Sequence, residues 1–186
     1  GRVLITPDTV FRNLQVIGRG GFGTVFRAEM VGDRDFVKPV ALKILNEDKT
    51  EQEEFAERLR DEARMLGRIR HRAIVHVEGF RKIMGRWTLI MEYVDGVDLN
   101  HVLKSSGRLP PRPALQIISE VAGALHAAYN SKQDGQPLRL MHRDIKPGNI
   151  RVTSAGEVKV LDFGIARADF ATREAETRQL HFGSLP

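Results

Sequence analysis

The sequence predicts an α+β fold in two lobes, an antiparallel sheet with one helix followed by a mainly helical lobe. Three early segments are rich in Val, Ile and Phe and are separated by Gly or Asp clusters, which is typical of strands. Those segments are residues 11–17, 24–30 and 37–45. A helix is predicted over residues 51–70, because Phe55, Leu59, Leu66 and Ile69 recur at helical spacing.

A hairpin and a short connector complete the predicted first lobe. Residues 75–80 and 87–94 are strand-like and flank a turn at Met84-Gly85-Arg86. At residues 95–98 the pattern changes from strand to helix, so we place the lobe boundary there. The predicted lobes are residues 1–94 and 95–186.

The second lobe is predicted to begin with a helix over residues 114–129 that is buried on one side. Its apolar stripe consists of Leu115, Ile118, Val121, Ala122, Leu125 and Tyr129. Polar residues 131–137 predict a loop, and residues 168–179 predict a second, charged loop. Between the loops, two short strands are predicted at residues 150–153 and 158–161.

Composition excludes several classes of protein. The net charge is +5, but the basic residues are mixed with acidic ones, which disfavours a nucleic-acid partner. The absence of cysteine excludes disulfides and thiolate metal sites. Since no stretch approaches the roughly 18 apolar residues of a membrane span, we expect no membrane contact by this segment. We expect a cytoplasmic location, either alone or as the cytosolic part of a longer anchored protein.

Two motifs in the second half of the chain carry the equipment of phosphoryl transfer. His142-Arg143-Asp144-Ile145-Lys146-Pro147-Gly148-Asn149 is followed, after an apolar strand, by Asp162-Phe163-Gly164. Asp144 could orient a hydroxyl nucleophile and accept its proton, and Lys146 could reach the transferring phosphate. Asn149 and Asp162 could hold Mg²⁺. A single His-Arg-Asp triplet can occur by chance on a surface, but the complete set strongly favours catalysis.

A glycine-rich segment near the N-terminus matches the pattern G-x-G-x-x-G-x-V through Gly18, Gly20, Gly23 and Val25. Glycines allow backbone N–H groups to approach phosphate oxygens. The same glycines match a dinucleotide-binding fingerprint, but that fold requires a helix next, and strand-like residues follow here. A hairpin turn without a ligand remains an alternative for this motif considered alone.

Lys43 and Glu62 are predicted to form an ion pair. Lys43 shares a strand face with Ala41 in an otherwise apolar run, so it needs an anionic partner if that face is buried. Glu62 lies between Leu59 and Leu66 on the apolar stripe of its helix, where a charge is costly. A pair that forms only when the helix moves inward would act as a switch. An exposed Lys43, or a Glu62 that reaches water at the edge of the stripe, remains an alternative.

In this order, the sites resemble the eukaryotic-like (Hanks-type) protein kinase family, in particular the bacterial Ser/Thr kinases. The resemblance extends from Phe11 onward and implies a protein-kinase-like fold with an incomplete helical lobe. We expect a fragment of a longer kinase, because the chain stops before an Ala-Pro-Glu segment. The resemblance implies transfer of the γ-phosphoryl group of ATP, with Mg²⁺, to protein Ser or Thr hydroxyls. A non-catalytic nucleotide-binding module of the same fold is the alternative.

The resemblance also implies roles for individual residues. Lys43 would contact the α- and β-phosphates and pair with Glu62, Asp144 would be the catalytic base, and Lys146 would bind phosphate. Asn149 and Asp162 would be the metal ligands. The implied nucleotide contacts are the loop glycines Gly18, Gly20 and Gly23, the adenine-packing Val25 and Ala41, the gatekeeper Met91, the hinge residues Glu92 and Val94, and the ribose-binding Asp98. An apolar column linking the lobes would include Leu66, His142 and Phe163.

The same resemblance implies how the protein is regulated. Arg143 implies control by activation-loop phosphorylation, with Thr177 favoured over Thr172, and a dimer would permit autophosphorylation in trans. Lys146 implies the Ser/Thr class.

In one respect the chain departs from the family: Arg151 occupies a position beneath adenine where many relatives have an apolar residue. We expect its stem to cover the base while its charged head reaches water.

Overall fold

The computed structural model describes residues 3–6, 9–21, 23–32, 36–46, 53–133 and 135–163. Its largest element is a six-stranded antiparallel sheet with the strand order β1-β2-β3-β4-β6-β5. The strands are β1 (Leu4–Thr6), β2 (Thr9–Gly20), β3 (Gly23–Val31), β4 (Val37–Leu45), β5 (Val77–Ile83) and β6 (Arg86–Glu92). All the strands predicted for the first lobe are therefore confirmed.

The β5–β6 hairpin turns where the sequence predicts it. Met84 and Gly85 both have positive φ, 49° and 81°. Two central residues with left-handed backbone match the right-handed twist of the flanking strands. Glycine adopts this conformation without steric cost, so Gly85 accounts for the short connection.

Helix α1 (Glu53–Arg68) packs beside β5 and confirms the predicted helix with slightly shorter bounds. Leu59, Ala63 and Leu66 on this helix are buried, and Ile69 just after it is buried as well. They belong to a core that also contains Phe163 from the second half of the chain. Burial of this stripe fixes the helix against the sheet.

The second half of the chain is built around a three-stranded antiparallel sheet of order β11-β10-β7. Its strands are β7 (Gly96–Asp98), β10 (Ile150–Thr153) and β11 (Val158–Val160). The helices are α2 (Leu99–Ser106), α3 (Pro111–Asn130) and a 3₁₀ turn at Pro147–Asn149. None of the helices within these described ranges has the length and apolar character needed to cross a membrane.

The segment predicted as a loop at residues 131–137 contains a small hairpin instead. Its two-residue strands are β8 (Lys132–Gln133) and β9 (Gln136–Pro137). Gly135, between them, has a φ of 80°. Sequence patterns miss such strands because two residues are too few to establish an alternation.

The predicted buried face of α3 is wrong in part. The helix buries Ile117, Val121, Ala124 and Ala128, whereas Leu115 and Ile118 are 67% and 63% exposed. Of the predicted stripe, only Val121 is buried. The helix carries two apolar stripes, and small alanines on the buried one permit close approach to β11, which α3 contacts. Periodicity shows which residues share a face but does not identify the face that meets the core.

Backbone hydrogen bonds attach β11 to the segment between α1 and β5. Val160 N–H donates to the Ala73 carbonyl over 2.7 Å, and Val75 N–H donates to the Val160 carbonyl over 3.1 Å. Leu161 N–H donates to the Asn149 carbonyl over 2.8 Å. The residues that follow β11 are thereby held close to both the first sheet and the 3₁₀ turn.

Gly23 provides a test of the packing between β3 and β4. A Cβ at this position would lie 2.1 Å from the Ile44 carbonyl oxygen, whereas one at Gly20 would meet nothing within 4 Å. Gly23→Ala should therefore lower the free energy of unfolding by about 1–3 kcal/mol, as overpacking does. Urea denaturation measures this change. Gly20→Ala is the matched control, and an equal loss in both variants would contradict the prediction.

Candidate active site

A cleft of about 560 Å³ lies between the glycine-rich β2–β3 hairpin and the loops around β10 and β11. Its lining includes most residues predicted to act together, although they come from distant parts of the chain. These are Gly18, Gly20, Gly23, Val25, Lys43, Asp98, Asp144, Lys146, Asn149 and Asp162. Arg151 and Leu161 also line it. The predicted chemistry is thus concentrated in one space.

Lys43 on β4 forms an ion pair with Asp162 across this cleft. Its Nζ lies 2.8 Å from Asp162 Oδ1, and Lys43 is only 7% exposed. A buried ammonium group requires such a partner because desolvation disfavours its charged form. Asp162 has a φ of 55°, an unusual backbone conformation for a residue other than glycine and one that is common at functional sites.

The sequence correctly predicts that Lys43 needs an anion, but it does not reveal the pair with Asp162. Glu62 lies on α1, and its side chain is outside the described residues. The Lys43–Glu62 pair therefore stays a prediction. A lysine and an aspartate 119 positions apart become neighbours only through the packing of β11. The nearest available signal in the sequence is the apolar strand that leads into Asp162.

Asp144 is the centre of a hydrogen-bond network. Lys146 Nζ donates to Asp144 Oδ2 over 2.7 Å, and Asn149 Nδ2 donates to the same oxygen over 3.1 Å. Asn149 Nδ2 also donates to the backbone carbonyl of Asp144 over 2.8 Å. The hydrogen bond from Lys146 is the main cause of a lowered pKa at Asp144. The carboxylate is therefore ionised at neutral pH and available as a hydrogen-bond acceptor.

His142 holds the backbone of Asp144 in place through a neutral imidazole. His142 Nδ1 accepts from the Asp144 N–H over 3.2 Å, and Nε2 lies 2.7 Å from the Leu161 carbonyl oxygen. We assign the ring proton to Nε2, because a carbonyl oxygen can only accept. His142 is 2% exposed, and this burial lowers its pKa. Between the two residues, Arg143 has a left-handed φ of 65°.

The predicted apolar column is present in part. The His142 ring meets the Phe163 ring edge-on, with centroids 4.7 Å apart. Phe163 and Leu66 belong to the same buried core. Packing around α1 is thereby connected to the ring that positions Asp144.

Four predicted nucleotide-binding residues, Ala41, Met91, Glu92 and Val94, do not line the cleft as the described residues form it. Ala41 and Met91 are paired across β4 and β6, and both are buried. The Glu92 carboxylate forms an ion pair with Lys159 on β11, and its N–H donates to the His76 carbonyl. Their proposed contacts with adenine remain predictions.

The donor set of the site fits Mg²⁺. Asn149 uses its amide nitrogen as a donor to Asp144, so its amide oxygen is the atom that could bind a cation. Asp162 adds a carboxylate. Mg²⁺ is commonly bound by one or two protein oxygens together with water and substrate phosphates. Within the described ranges, no group of three or more His, Asp or Glu side chains forms an all-protein metal site.

The charged head of Arg151, a half-buried residue, bonds to the backbone, and its expected contact with water stays a prediction. Its Nη2 donates to the Gly96 carbonyl oxygen, and its Nε is buried. The cause is the close pairing of β7 with β10, which places Gly96 beside Arg151.

The phosphorylation candidates Thr172 and Thr177, together with Gly164, lie outside the described residues.

The fold and the cleft are those expected of a protein kinase, and comparison with known families agrees with this class. The protein kinase domain family matches residues 11–181 of this chain. The chain therefore belongs to the protein kinase family. This finding confirms the resemblance drawn from the glycine-rich, Asp144 and Asp162 motifs.

Individual relatives are bacterial kinases. Serine/threonine-protein kinase PknA of Mycobacterium tuberculosis is 38% identical over 181 residues, which cover 95% of this chain and 40% of that protein. Tyrosine-protein kinase MasK of Myxococcus xanthus is 34% identical, with 89% of this chain and 26% of that protein covered. The crystal structure of the M. tuberculosis PknI kinase domain matches with a TM-score of 0.66 and 30% identity, covering 83% of this chain and 61% of that one. The chain thus spans less than half of these curated relatives.

The neutral state of His142 predicts a pH dependence of stability. Its pKa is lowered in the folded chain, so below about pH 6.5 the unfolded state binds more protons and stability falls with decreasing pH. The contribution of one such group is at most about 1.4 kcal/mol per pH unit. His142→Gln should flatten the dependence of unfolding free energy on pH between about 5 and 6.5, as measured by urea denaturation. An unchanged slope would contradict a neutral, buried His142.

Lys146 should control the ionisation of Asp144. Lys146→Met removes the hydrogen bond that lowers the pKa of this carboxyl group, so the pKa should rise toward its ordinary value. A ¹³C NMR titration of the Asp144 carboxyl carbon measures the change. Lys159→Met, which removes a lysine paired with Glu92 instead, is the control and should leave the titration unaltered. A rise of equal size in both variants would refute the assignment.

Proposed function

We propose that this chain is the catalytic part of an ATP- and Mg²⁺-dependent protein kinase that phosphorylates Ser or Thr hydroxyls of proteins. The observation that carries the proposal is the convergence of Lys43, Asp144, Asn149 and Asp162 on one cleft. Phosphoryl transfer requires positioning and charge stabilisation more than covalent chemistry by the protein. A cation, an ionised carboxylate and a pair of oxygen ligands in one cavity can supply both.

Each group has a part that follows from its position. Lys43 presents a buried ammonium group to the triphosphate, where a low dielectric strengthens its attraction for phosphate oxygens. Asp144 is ionised and accepts the hydrogen bond of the incoming hydroxyl, which orients that nucleophile and provides a site for its proton. Mg²⁺, when bound by Asn149 and Asp162, would supply neutralisation of phosphate charge.

Lys146 favours a Ser or Thr acceptor, whereas the names of the two curated relatives differ on this point. PknA is named a serine/threonine kinase, whereas MasK is named a tyrosine kinase. Lys146 close to Asp144 is the feature of this chain that resembles the Ser/Thr class. The proposal includes the lobe division at residues 94/95, the Lys43–Glu62 pair and trans-autophosphorylation in the loop that contains Thr177.

Asp144→Asn tests the catalytic role directly. It should lower phosphate transfer from [γ-³²P]ATP by about 10²–10⁴-fold, the usual contribution of a general base, while Mg·ATP binding is retained. Asp61→Asn, on the exposed surface of α1, is the matched control and should keep full activity. Mass spectrometry of the products then identifies the acceptor residues.

Three outcomes would count against the proposal. Equal activity of Asp144→Asn and the wild type would remove Asp144 from the mechanism. Phosphate found only on tyrosine would overturn the Ser/Thr assignment. Mg·ATP binding without transfer under any activating condition would favour a nucleotide-binding module instead.

A further inference from the structure

Asp98 and Arg151 form an opposed pair of charged residues at one end of the cleft. They are direct partners in the antiparallel register of β7 and β10. Residues opposite each other on neighbouring strands project toward the same face of the sheet. Both also line the cleft. An acceptor and a donor are therefore side by side where a nucleotide would lie.

Each side chain is anchored by one hydrogen bond and keeps further bonding capacity. Asp98 Oδ1 accepts from the His101 N–H over 2.8 Å as the cap of α2, which leaves its second carboxylate oxygen. Arg151 Nη2 donates to the Gly96 carbonyl. Arg151 Nε is buried and has no hydrogen-bond partner among the residues that the structure describes. A guanidinium group carries five N–H donors, so the terminal nitrogens keep donors beyond the one that the Gly96 carbonyl accepts, and these are the donors that a ligand in the cleft could use.

The backbone holds Arg151 in this position. A Cβ on Gly96 would lie 2.5 Å from the Val152 carbonyl oxygen, so only glycine permits this approach of β7 to β10. The same approach brings the Gly96 carbonyl to the guanidinium group. The Arg151 side chain is thus fixed before any ligand arrives, which reduces the entropy that binding would cost.

The chemistry of the pair matches a vicinal diol. A carboxylate only accepts hydrogen bonds and a guanidinium group only donates them, whereas each hydroxyl of a diol can do both. We propose that Arg151 is a specificity-determining residue that acts with Asp98 to bind the ribose hydroxyls of the nucleotide. The inference rests on the proposed function and extends it, because the family resemblance gives the ribose to Asp98 alone.

The test compares nucleotides that differ only in the sugar. Isothermal titration of the full chain with Mg·ADP, 2′-deoxy-ADP and 3′-deoxy-ADP avoids turnover. The wild type should bind at least one deoxy analogue about tenfold more weakly than ADP, the effect of losing one hydrogen bond to a charged group. Arg151→Met should weaken the binding of ADP about tenfold, and it should weaken the binding of that deoxy analogue less than about twofold. Arg151→Lys should restore part of the discrimination.

Controls separate this role from packing and folding. Arg108→Met removes an exposed arginine outside the cleft. It should change neither the affinity for ADP nor the affinity for the deoxy analogues. Thermal unfolding shows whether each variant is folded, and Arg151→Lys serves if Arg151→Met is not. Equal weakening of ADP and both deoxy analogues by Arg151→Met, or no discrimination by the wild type, would overturn the inference alone. Failure of the wild type to bind any Mg·nucleotide would overturn the proposed function as well.

Discussion

The contact between Lys43 and Asp162 is the constraint on which the geometry of the cleft depends. A lysine on an inward-facing strand position can keep its charge only beside an anion. Asp162 satisfies that requirement from the end of β11. Because β11 is itself bonded to the segment between α1 and β5, the backbone holds the two partners of this charged contact together. In the proposed function, this contact supplies the cation and the metal ligand that a triphosphate needs.

The part of the cleft around Asp144 is organised by a neutral histidine. His142 links the Leu161 carbonyl to the backbone of Asp144, and its ring packs on Phe163 within the shared core. The position of Asp144 therefore depends on apolar packing that reaches α1 through Leu66. The buried residues His142 and Phe163 thus contribute both to the packing of the fold and to the position of Asp144.

Arg151 shows how a departure from local rules can mark a functional position. A charged side chain at a half-buried position is unfavourable unless its donors are used. One donor is used by the Gly96 carbonyl, and the opposed Asp98 supplies the complementary acceptor group nearby. Exceptions of this kind are concentrated at functional sites, where a local cost is offset by binding.

The sequence by itself determined the strands of the first lobe, the turn at Met84-Gly85 and the kinase motifs, because alternation, turn chemistry and motif spacing are local properties. It also showed that Lys43 needs an anion. Tertiary structure decided that Asp162 meets Lys43, that α3 buries Ile117 and leaves Ile118 exposed, and that the Arg151 head turns to Gly96. These outcomes depend on which surfaces pack together. A one-dimensional pattern cannot specify them, since residues that share a face locally can still meet any of several partners.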